Sequence, residues 1–217
     1  YDLNKLDQDS SYAHLTTNNT LYGTRWHSFP ETGNVPLVAD ATSDILSRVI
    51  DYSKFGLVYA GLQKNLGTSG TAVVIIRDDL LGNPLPQTPK LLDYTIFDKN
   101  NSLPNTINVF AVYVMRLVLE WVKSKGGVSE MEKLAQKKST LIYDLLDRSD
   151  FYQSIAHPDN RSTMNVTFNL PNNDLLERFL SLSEKEGLFA LKGHAEVGGI
   201  RASLYNAMPL DGAIKLA

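Results

Sequence analysis

The sequence predicts an α/β fold, in which a mostly parallel sheet with helices is followed by a smaller α/β unit. Short apolar runs at 36–40 and 55–60 are bounded by Pro, Gly or acidic residues, a pattern typical of buried parallel strands. Residues 106–125 are apolar on nearly every face, which is typical of a helix inside a core or an interface. Residues 164–170 alternate strictly between polar and apolar side chains, which predicts a half-buried strand.

The first half of the chain is expected to supply strands and loops to the larger sheet. Residues 12–16 have the character of a short strand, and the polar residues before Gly23 predict a loop. Another apolar run, 71–76, follows a turn that contains glycine. Residues 80–99 are rich in Pro, Leu and Asp without a clear period, so they are predicted to be a long connection.

The middle of the chain is predicted to be helical. The helix at 106–125 is expected to stop at Gly126 and Gly127, because glycine is the usual residue just past a helix. Ser129 and Glu132 have the spacing of a capping box and predict the start of an amphipathic helix.

The remaining residues predict a small α/β domain, with two helices against an antiparallel or mixed sheet. The boundary is placed near Gly126, which divides the chain into 1–126 and 127–217. Further strands and helices are expected in this second part, at 174–186, 188–191, 199–205 and from 208 onward.

Lys64 stands at an unusual place, between the apolar run 55–60 and a turn at 67–70 that leads into the next apolar run. Burial of an ammonium group is unfavourable, so such a lysine is usually exposed, deprotonated or chemically converted. Pyridoxal-phosphate enzymes convert it, because the amine bonds to the aldehyde of the cofactor. An ordinary surface lysine at a strand end is the alternative that the pattern leaves open.

Asp40 ends the preceding apolar run. Ligands of open α/β sheets bind at the carboxyl ends of the strands, where both Asp40 and Lys64 are expected. A carboxylate next to a pyridine nitrogen keeps that nitrogen protonated, which lets the ring accept electrons. The alternative is that Asp40 caps a helix that begins at Thr42.

These residues and their surroundings resemble phosphoserine aminotransferase. Four segments carry the likeness in one register: 38–48, 59–67, 99–106 and 191–208. The resemblance implies a type I pyridoxal-phosphate fold, with the C-terminal portion of the large cofactor-binding domain at 1–126 and the small domain at 127–217. It also implies a homodimer whose active sites share residues. Members of the family extend before residue 1 and beyond residue 217, so we expect this chain to be a fragment.

The resemblance implies roles for eight side chains. The residues implied to bind cofactor are Thr20, Asp40, Gln63, Lys64, Asn105 and Thr106, and those implied to bind substrate are His194 and Arg201. Lys64 is the implied catalytic residue, while Asn105 and Thr106 are implied to reach the cofactor of the other subunit. For Thr20 a plain turn threonine is the alternative, and for Arg201 a strand arginine that pairs with a surface acid.

The chain departs from the family pattern beside His194. The family has an arginine at the next position, where a His-Arg pair faces the substrate phosphate, but this chain has Ala195 followed by Glu196. Thr68 and Ser69 also replace the usual Pro and a small residue. We expect the loss of the arginine to weaken discrimination in favour of phosphorylated substrates.

The implied activity is transamination of O-phospho-L-serine with 2-oxoglutarate, giving 3-phosphohydroxypyruvate and L-glutamate in serine biosynthesis. Two alternatives remain open at this point. One is another fold type I aminotransferase with a different amino donor, which Ala195 favours. The other is a truncated chain that folds without catalysing, and the isolated chain is expected to be inactive.

Composition limits the other classes of function. The formal net charge of −3 in 217 residues gives no reason to expect a nucleic-acid or acidic-membrane partner. The chain has no cysteine, which excludes disulfides and thiolate metal sites, and its four histidines lack metal-ligand spacing, so no metal is expected. No apolar run has membrane-spanning length and no signal-peptide pattern opens the sequence, so a cytoplasmic location is expected.

Overall fold

A four-stranded sheet forms the first part of the computed structural model, which describes residues 6–217. In chain order its strands are β1 (Ala13–Thr16), β4 (Leu37–Asp40), β5 (Leu57–Gly61) and β6 (Ala72–Ile76). They lie side by side in that order, with β1, β4 and β5 parallel and β6 antiparallel to β5. A separate short pair, β2 (Asn18–Asn19) and β3 (Thr24–Arg25), is antiparallel. The predicted mostly parallel sheet is confirmed. Each strand begins one or two residues after the first residue of the apolar run that predicted it.

One face of this sheet packs on an apolar cluster. Leu37 and Ala39 of β4 and Val58 and Ala60 of β5 are buried, because alternate residues of a strand point to the same face. The strand β6 is less buried than the sequence predicted, and 42% of Ile75 is exposed. It lies at the end of the sheet order, with β5 as its one partner among the described strands.

The connection at 80–99 is partly helical, contrary to the prediction. Helix α1 (Tyr94–Lys99) ends it, and the Asp93 carboxylate caps the helix by accepting from the backbone N–H of Thr95 at 2.9 Å. Six residues are too few for an apolar period to be recognised in the sequence.

Helix α2 (Val109–Ser124) begins three residues later than predicted, after Asn108, whose side-chain oxygen accepts from Ala111 N at 3.1 Å. Of the two predicted locations for this apolar helix, a core or an interface, the core of the described chain covers only part of it. Ala111 and Val122 are its buried residues. The exposed side includes Val109, Phe110, Tyr113, Leu117 and Leu119.

Helix α3 (Val128–Asp147) starts directly after Gly127, which has φ +82° and contributes no side-chain cap. The predicted capping box is wrong, because Ser129 and Glu132 both lie inside the helix. The Glu132 carboxylate instead accepts from the backbone N–H of Val49 at 3.1 Å, a contact with a distant segment that the sequence pattern does not reveal.

The second sheet has three antiparallel strands in the order β7 (Gln153–Ser154), β8 (Asn165–Asn169) and β9 (Ile200–Ser203). Helix α3 packs against β7 and β8, and α5 (Leu210–Leu216) packs against α3. The apolar side of α4 (Asn173–Lys185) also joins the second apolar cluster. An antiparallel sheet with helices is therefore confirmed in this part of the chain.

Two details of this sheet differ from the prediction. No strand forms at 188–191, where Ala190 has φ +59° and breaks the extended run, although Lys192 makes an isolated bridge with Ile200. The strand at 199–205 is shorter, as β9 covers Ile200–Ser203.

Strand β8 is covered on both faces, so the prediction of a half-buried strand is wrong. Val166 and Phe168 point into the second apolar cluster. Asn165 and Thr167, on the other face, are 0% and 1% exposed. Their polar side chains are buried against the first part of the chain.

A buried set of polar side chains, which we name the polar seam, joins the two parts of the chain. Both amide hydrogens of Asn18 are used, one on Ser43 Oγ at 2.9 Å and one on Asn165 Oδ1 at 3.0 Å. The hydroxyl of Ser162 donates to Asn18 Oδ1, and that of Thr167 donates to the Tyr22 carbonyl at 2.8 Å. Three of these four hydrogen bonds therefore join segments more than 140 residues apart.

No helix within residues 6–217 combines the length and the apolar character that crossing a membrane requires.

Candidate active site

The carboxyl ends of β4 and β5 define the candidate site. Asp40 is the last residue of β4 and lies opposite Tyr59 of the parallel strand β5. Lys64 lies three residues after the end of β5. The turn that contains it is held by hydrogen bonds from Leu66 N and Gly67 N to the Leu62 carbonyl. Leu62 and Leu66 anchor this turn because both are buried in the first apolar cluster.

Lys64 is half-buried, and its surroundings alter its acidity. Burial lowers the pKa of Lys64, the Asp40 carboxylate acts to raise it, and the Arg201 guanidinium lowers it further. The net direction is downward, which increases the fraction of neutral, nucleophilic amine. The Tyr205 ring lies beside this amine, with its centroid 6.0 Å from Lys64 Nζ.

The Asp40 carboxylate is held by its neighbours. Its Oδ1 accepts from the backbone N–H of Thr42 at 2.8 Å, and Tyr59 lies opposite it on the neighbouring strand. Burial raises the pKa of Tyr59, and the Asp40 charge raises it further, so the phenol stays protonated. His14 Nε2 is 3.1 Å from the same hydroxyl. Residues 41–48 form turns and no α-helix, so Asp40 caps a turn instead of the helix considered above.

Gln63 and Thr20 lie near strand ends. The exposed Gln63 side chain folds over Gly61, where an added Cβ would be 2.4 Å from Gln63 Oε1. Thr20 is half-buried and directly follows β2. In the described part of the chain, no hydrogen bond connects Thr20 to Lys64 or Asp40.

The structure brings Arg201 to Lys64 but leaves His194 in an exposed turn. Arg201 is half-buried on β9, opposite Thr167, and is close enough to lower the Lys64 pKa. His194 Nδ1 accepts from Glu196 N at 3.3 Å, and its carbonyl accepts from Val197 N and Gly198 N.

Asn105 and Thr106 are exposed in the loop before α2. Among the residues that the structure describes, neither makes a hydrogen bond to Lys64 or to another of the eight predicted side chains.

Three residues around Lys64 were missed from the sequence. Tyr205 lies beside the amine, Tyr59 lies opposite Asp40, and Asn65 Oδ1 accepts from Asn206 N at 3.0 Å. Asn65 could have been predicted, because it is adjacent to Lys64 in the sequence. Tyr59 and Tyr205 could not, because nothing in the local sequence around an aromatic residue indicates that it lies near a site.

A cleft of about 900 Å³ lies beside β1 and β3. His14, Thr16 and Asn19 line it together with Arg25 and His27. Lys64 and Asp40 are not among its lining residues, so the cleft borders the candidate site without containing its two central side chains.

Comparison with known proteins relates the chain to one family of enzymes. The family model described as aminotransferase class-V matches residues 2–215. The chain is 51% identical over 208 residues to the phosphoserine aminotransferase of Lysinibacillus sphaericus, covering 95% of this chain and 58% of that protein. It is 50% identical to the Herpetosiphon aurantiacus phosphoserine aminotransferase, covering 98% of this chain and 59% of that protein. The chain therefore spans less than two thirds of the length of these relatives.

Solved structures agree with this relation. The phosphoserine aminotransferase from Bacillus circulans subsp. alkalophilus superposes with a TM-score of 0.96 at 46% identity, covering 99% of this chain and 60% of that one. The phosphoserine aminotransferase from Trichomonas vaginalis, solved with pyridoxal phosphate bound, has a TM-score of 0.92 at 36% identity, covering 98% and 60% of the two chains. The fold is thus that of pyridoxal-phosphate-dependent aminotransferases.

Proposed function

The chain belongs to the class-V aminotransferase family, and on that premise we propose that it serves pyridoxal-phosphate-dependent transamination of O-phospho-L-serine with 2-oxoglutarate. The products are 3-phosphohydroxypyruvate and L-glutamate, a step in serine biosynthesis. One observation of the structure carries the proposal: a half-buried lysine of lowered pKa lies at the carboxyl ends of the parallel strands, under the influence of Asp40. The relatives named phosphoserine aminotransferase support the choice of substrate.

The residues present fit pyridoxal 5'-phosphate. A neutral amine suits its aldehyde, and a fixed carboxylate suits its ring nitrogen; Lys64 and Asp40 supply this pair. When bound, the cofactor supplies the aldehyde and a ring that accepts electrons. Gln63 and Thr20 are proposed to hold the ring oxygen and the phosphate side.

Lys64 is proposed to act twice. Its amine would hold the cofactor covalently. Once the substrate amine had displaced it from that bond, the freed Lys64 amine would move a proton between the substrate α-carbon and the cofactor C4′. The lowered pKa suits both tasks, because a neutral amine is needed to bond and to accept the proton.

Asp40 is proposed to hold the proton on the pyridine nitrogen. The hydrogen bond from Thr42 N fixes the orientation of its carboxylate before the cofactor arrives. Such preorganised charge is effective because the protein need not reorganise during the reaction.

Arg201 is proposed to bind the substrate α-carboxylate. A planar guanidinium can grip a carboxylate through two hydrogen bonds, and its influence on Lys64 shows that the two cations are close. No hydrogen bond from the Arg201 side chain is recorded within the described residues, so its donors are available. His194 is proposed to contact the substrate phosphate from its exposed turn.

We further propose a homodimer with shared active sites, divided into a large domain at 1–126 and a small domain at 127–217, in the cytoplasm. The exposed apolar side of α2 supports the dimer, since Val109 and Phe110 are 69% and 65% exposed. Asn105 and Thr106 precede this side, which suits the proposed contact with the cofactor of the other subunit.

One alternative keeps a specific observation in its favour. An aminotransferase with a different amino donor is favoured by Ala195, which leaves a neutral side chain beside His194. A chain that folds without catalysing is not favoured, because the relatives are named as enzymes.

Two measurements test the proposal, and they and the kinetic predictions below use a protein extended to the length of the relatives, because the isolated chain is expected to be inactive. Borohydride reduction of the protein with pyridoxal phosphate, followed by peptide mapping, should label Lys64. A label on Lys54, Lys90 or Lys192 instead would contradict the assignment. Glutamate formation from 2-oxoglutarate should be faster with phosphoserine than with serine or alanine; the reverse preference would establish the alternative donor.

The exposed turn at His194 gives a prediction about specificity. Ala195→Arg should lower the KM for phosphoserine, because a charge-assisted hydrogen bond to phosphate contributes about 1.5–3 kcal/mol when well formed. We expect less than this, since Glu196 competes for the new guanidinium. Ala195→Gln is the neutral control and should leave the KM near its original value.

A further inference from the structure

A second lysine of the chain is enclosed more completely than Lys64. Lys138 lies on α3 with 0% of its surface exposed. Its Nζ donates to three backbone carbonyls, those of Leu204 at 2.8 Å, Tyr205 at 2.8 Å and Met208 at 2.9 Å. An ammonium group has three donors, so every donor of Lys138 is used.

The ligands of this ammonium are all neutral carbonyl oxygens. Burial lowers the pKa of Lys138 to about 8, so the group still carries its charge at neutral pH. Rings of carbonyl oxygens are the kind of site that takes a desolvated monovalent cation. The Lys138 ammonium is thus a cation tethered to α3 and inserted into a cage made by the segment 204–208.

The segment 204–208, whose carbonyls surround the Lys138 ammonium, lies beside Lys64. It follows β9, which carries Arg201, and it contains Tyr205, whose ring centroid is 6.0 Å from Lys64 Nζ. The next residue, Asn206, donates from its backbone N–H to Asn65 Oδ1 at 3.0 Å, and its side chain donates to the Leu46 carbonyl at 2.8 Å. Asn65 is the residue after Lys64, so the cage and the lysine turn are joined by a short path of hydrogen bonds.

We propose that Lys138 is a positioning residue for Lys64, because its ammonium fixes the segment 204–208 and thereby the Tyr205 ring and the Asn206 link. Lys138 itself contacts neither the Lys64 amine nor, on the function proposed above, the reacting atoms. Without its charge, three buried carbonyls lose their donor and the segment relaxes toward solvent. The Tyr205 ring then shields the Lys64 amine less.

The test measures the Lys64 amine directly, in cofactor-free protein, by the pH dependence of amine labelling with mass spectrometry. Lys138→Met keeps the length of the side chain but removes the charge. We expect the labelling rate of Lys64 at pH 8, expressed relative to its own plateau rate at high pH, to fall at least threefold, because better solvation raises its pKa toward the ordinary value. The normalisation removes any change in the access of the reagent. Lys137→Met is the matched control, since Lys137 is the exposed neighbour on the same helix, and should change nothing.

A variant that retains a cation keeps the proposal testable if Lys138→Met does not fold. Lys138→Arg can satisfy the carbonyls only in part, because the guanidinium is planar and larger, so a smaller fall in Lys64 labelling is expected. A folded Lys138→Met or Lys138→Arg protein with unchanged Lys64 labelling would overturn the inference. Failure of the proposed function would be recognised by a different result: the parent protein would form no reducible bond between pyridoxal phosphate and Lys64.

Discussion

The acidity of Lys64 results from its burial and from two charged neighbours that act in opposite directions. Burial and Arg201 lower its pKa, and Asp40 raises it. Under the proposed function, the Asp40 charge is needed at the ring nitrogen, while Lys64 must be deprotonated often enough to react. Arg201 is suited to this arrangement, because its charge offsets that of Asp40 at the Lys64 amine.

Single substitutions should therefore shift the Lys64 pKa in opposite directions. Asp40→Asn removes the charge that raises this pKa, so the pKa should fall further. Arg201→Met removes a charge that lowers it, so the pKa should rise. Amine labelling of cofactor-free protein across a pH series measures both changes, and exposed Lys137 in the same sample corrects for reagent activity. Shifts of the same sign in both variants would show that the two charges do not act on Lys64.

Asp40→Asn should also slow catalysis. The amide keeps the shape of the side chain but cannot hold the proton on the pyridine nitrogen, a loss of about 3 kcal/mol or roughly a hundredfold in kcat. Asp78→Asn is the control, because Asp78 is exposed and distant in sequence from the strand ends. Near-normal turnover by Asp40→Asn would remove Asp40 from the proposed mechanism.

Strand-end position indicated Lys64 and Asp40, the family resemblance indicated Arg201, and the structure places Asp40 and Arg201 within electrostatic reach of Lys64. The sequence did not identify Tyr205, Tyr59 or Lys138. A lysine in the helical run Gln136-Lys137-Lys138 has the local pattern of a solvated surface, and its burial depends on three carbonyls that lie more than 60 residues away. Local pattern cannot report such contacts.

At the scale of secondary structure, helix starts were the least accurately predicted feature. The Ser129 and Glu132 spacing matched a capping box, yet α3 begins earlier, at Val128, after a glycine in the left-handed region. The Glu132 side chain was instead used for a contact with Val49 N. A local motif can be overridden when one of its members has a stronger partner elsewhere in the fold.

Helix α2 has a side-chain cap that can be tested. Asn108 Oδ1 accepts from Ala111 N at 3.1 Å, so Asn108→Ala should reduce the free energy of unfolding by about 1 kcal/mol. Asn108→Ser retains a capping oxygen and should stay close to the parent. Urea unfolding followed by circular dichroism measures both. Equal midpoints for the alanine and serine variants would show that this cap does not contribute to stability.

At the scale of the whole molecule, the polar seam decides how the two apolar clusters are arranged. The alternation of residues 164–170 correctly indicated a strand, but it did not reveal that the polar face is also buried. Asn165 and Thr167 find their partners in Asn18 and the Tyr22 carbonyl, far earlier in the chain. Polar residues on a strand are normally assigned to solvent, and only the tertiary arrangement shows that they face protein.

A double-mutant cycle tests the polar seam. Asn18→Ala and Asn165→Ala should each lower the free energy of unfolding by about 1–3 kcal/mol, because each leaves buried partners unsatisfied. The double variant should lose less than the sum, with a coupling of about 0.5 kcal/mol or more. Additive losses would mean that the amide contact does not couple the two parts of the chain. Asn160→Ala, at an exposed residue, is the control.

The enclosure of Lys138 has a consequence for covalent inhibitors. An electrophilic compound that selects lysines by lowered pKa alone has two candidates within residues 6–217, Lys64 and Lys138. Lys138 has no exposed surface and no free donor, so a warhead cannot approach it, whereas Lys64 is half-buried beside an aromatic ring. An aryl aldehyde or a similar reversible warhead, sized to stack on Tyr205 and carrying an acid for Arg201, should therefore modify one lysine selectively.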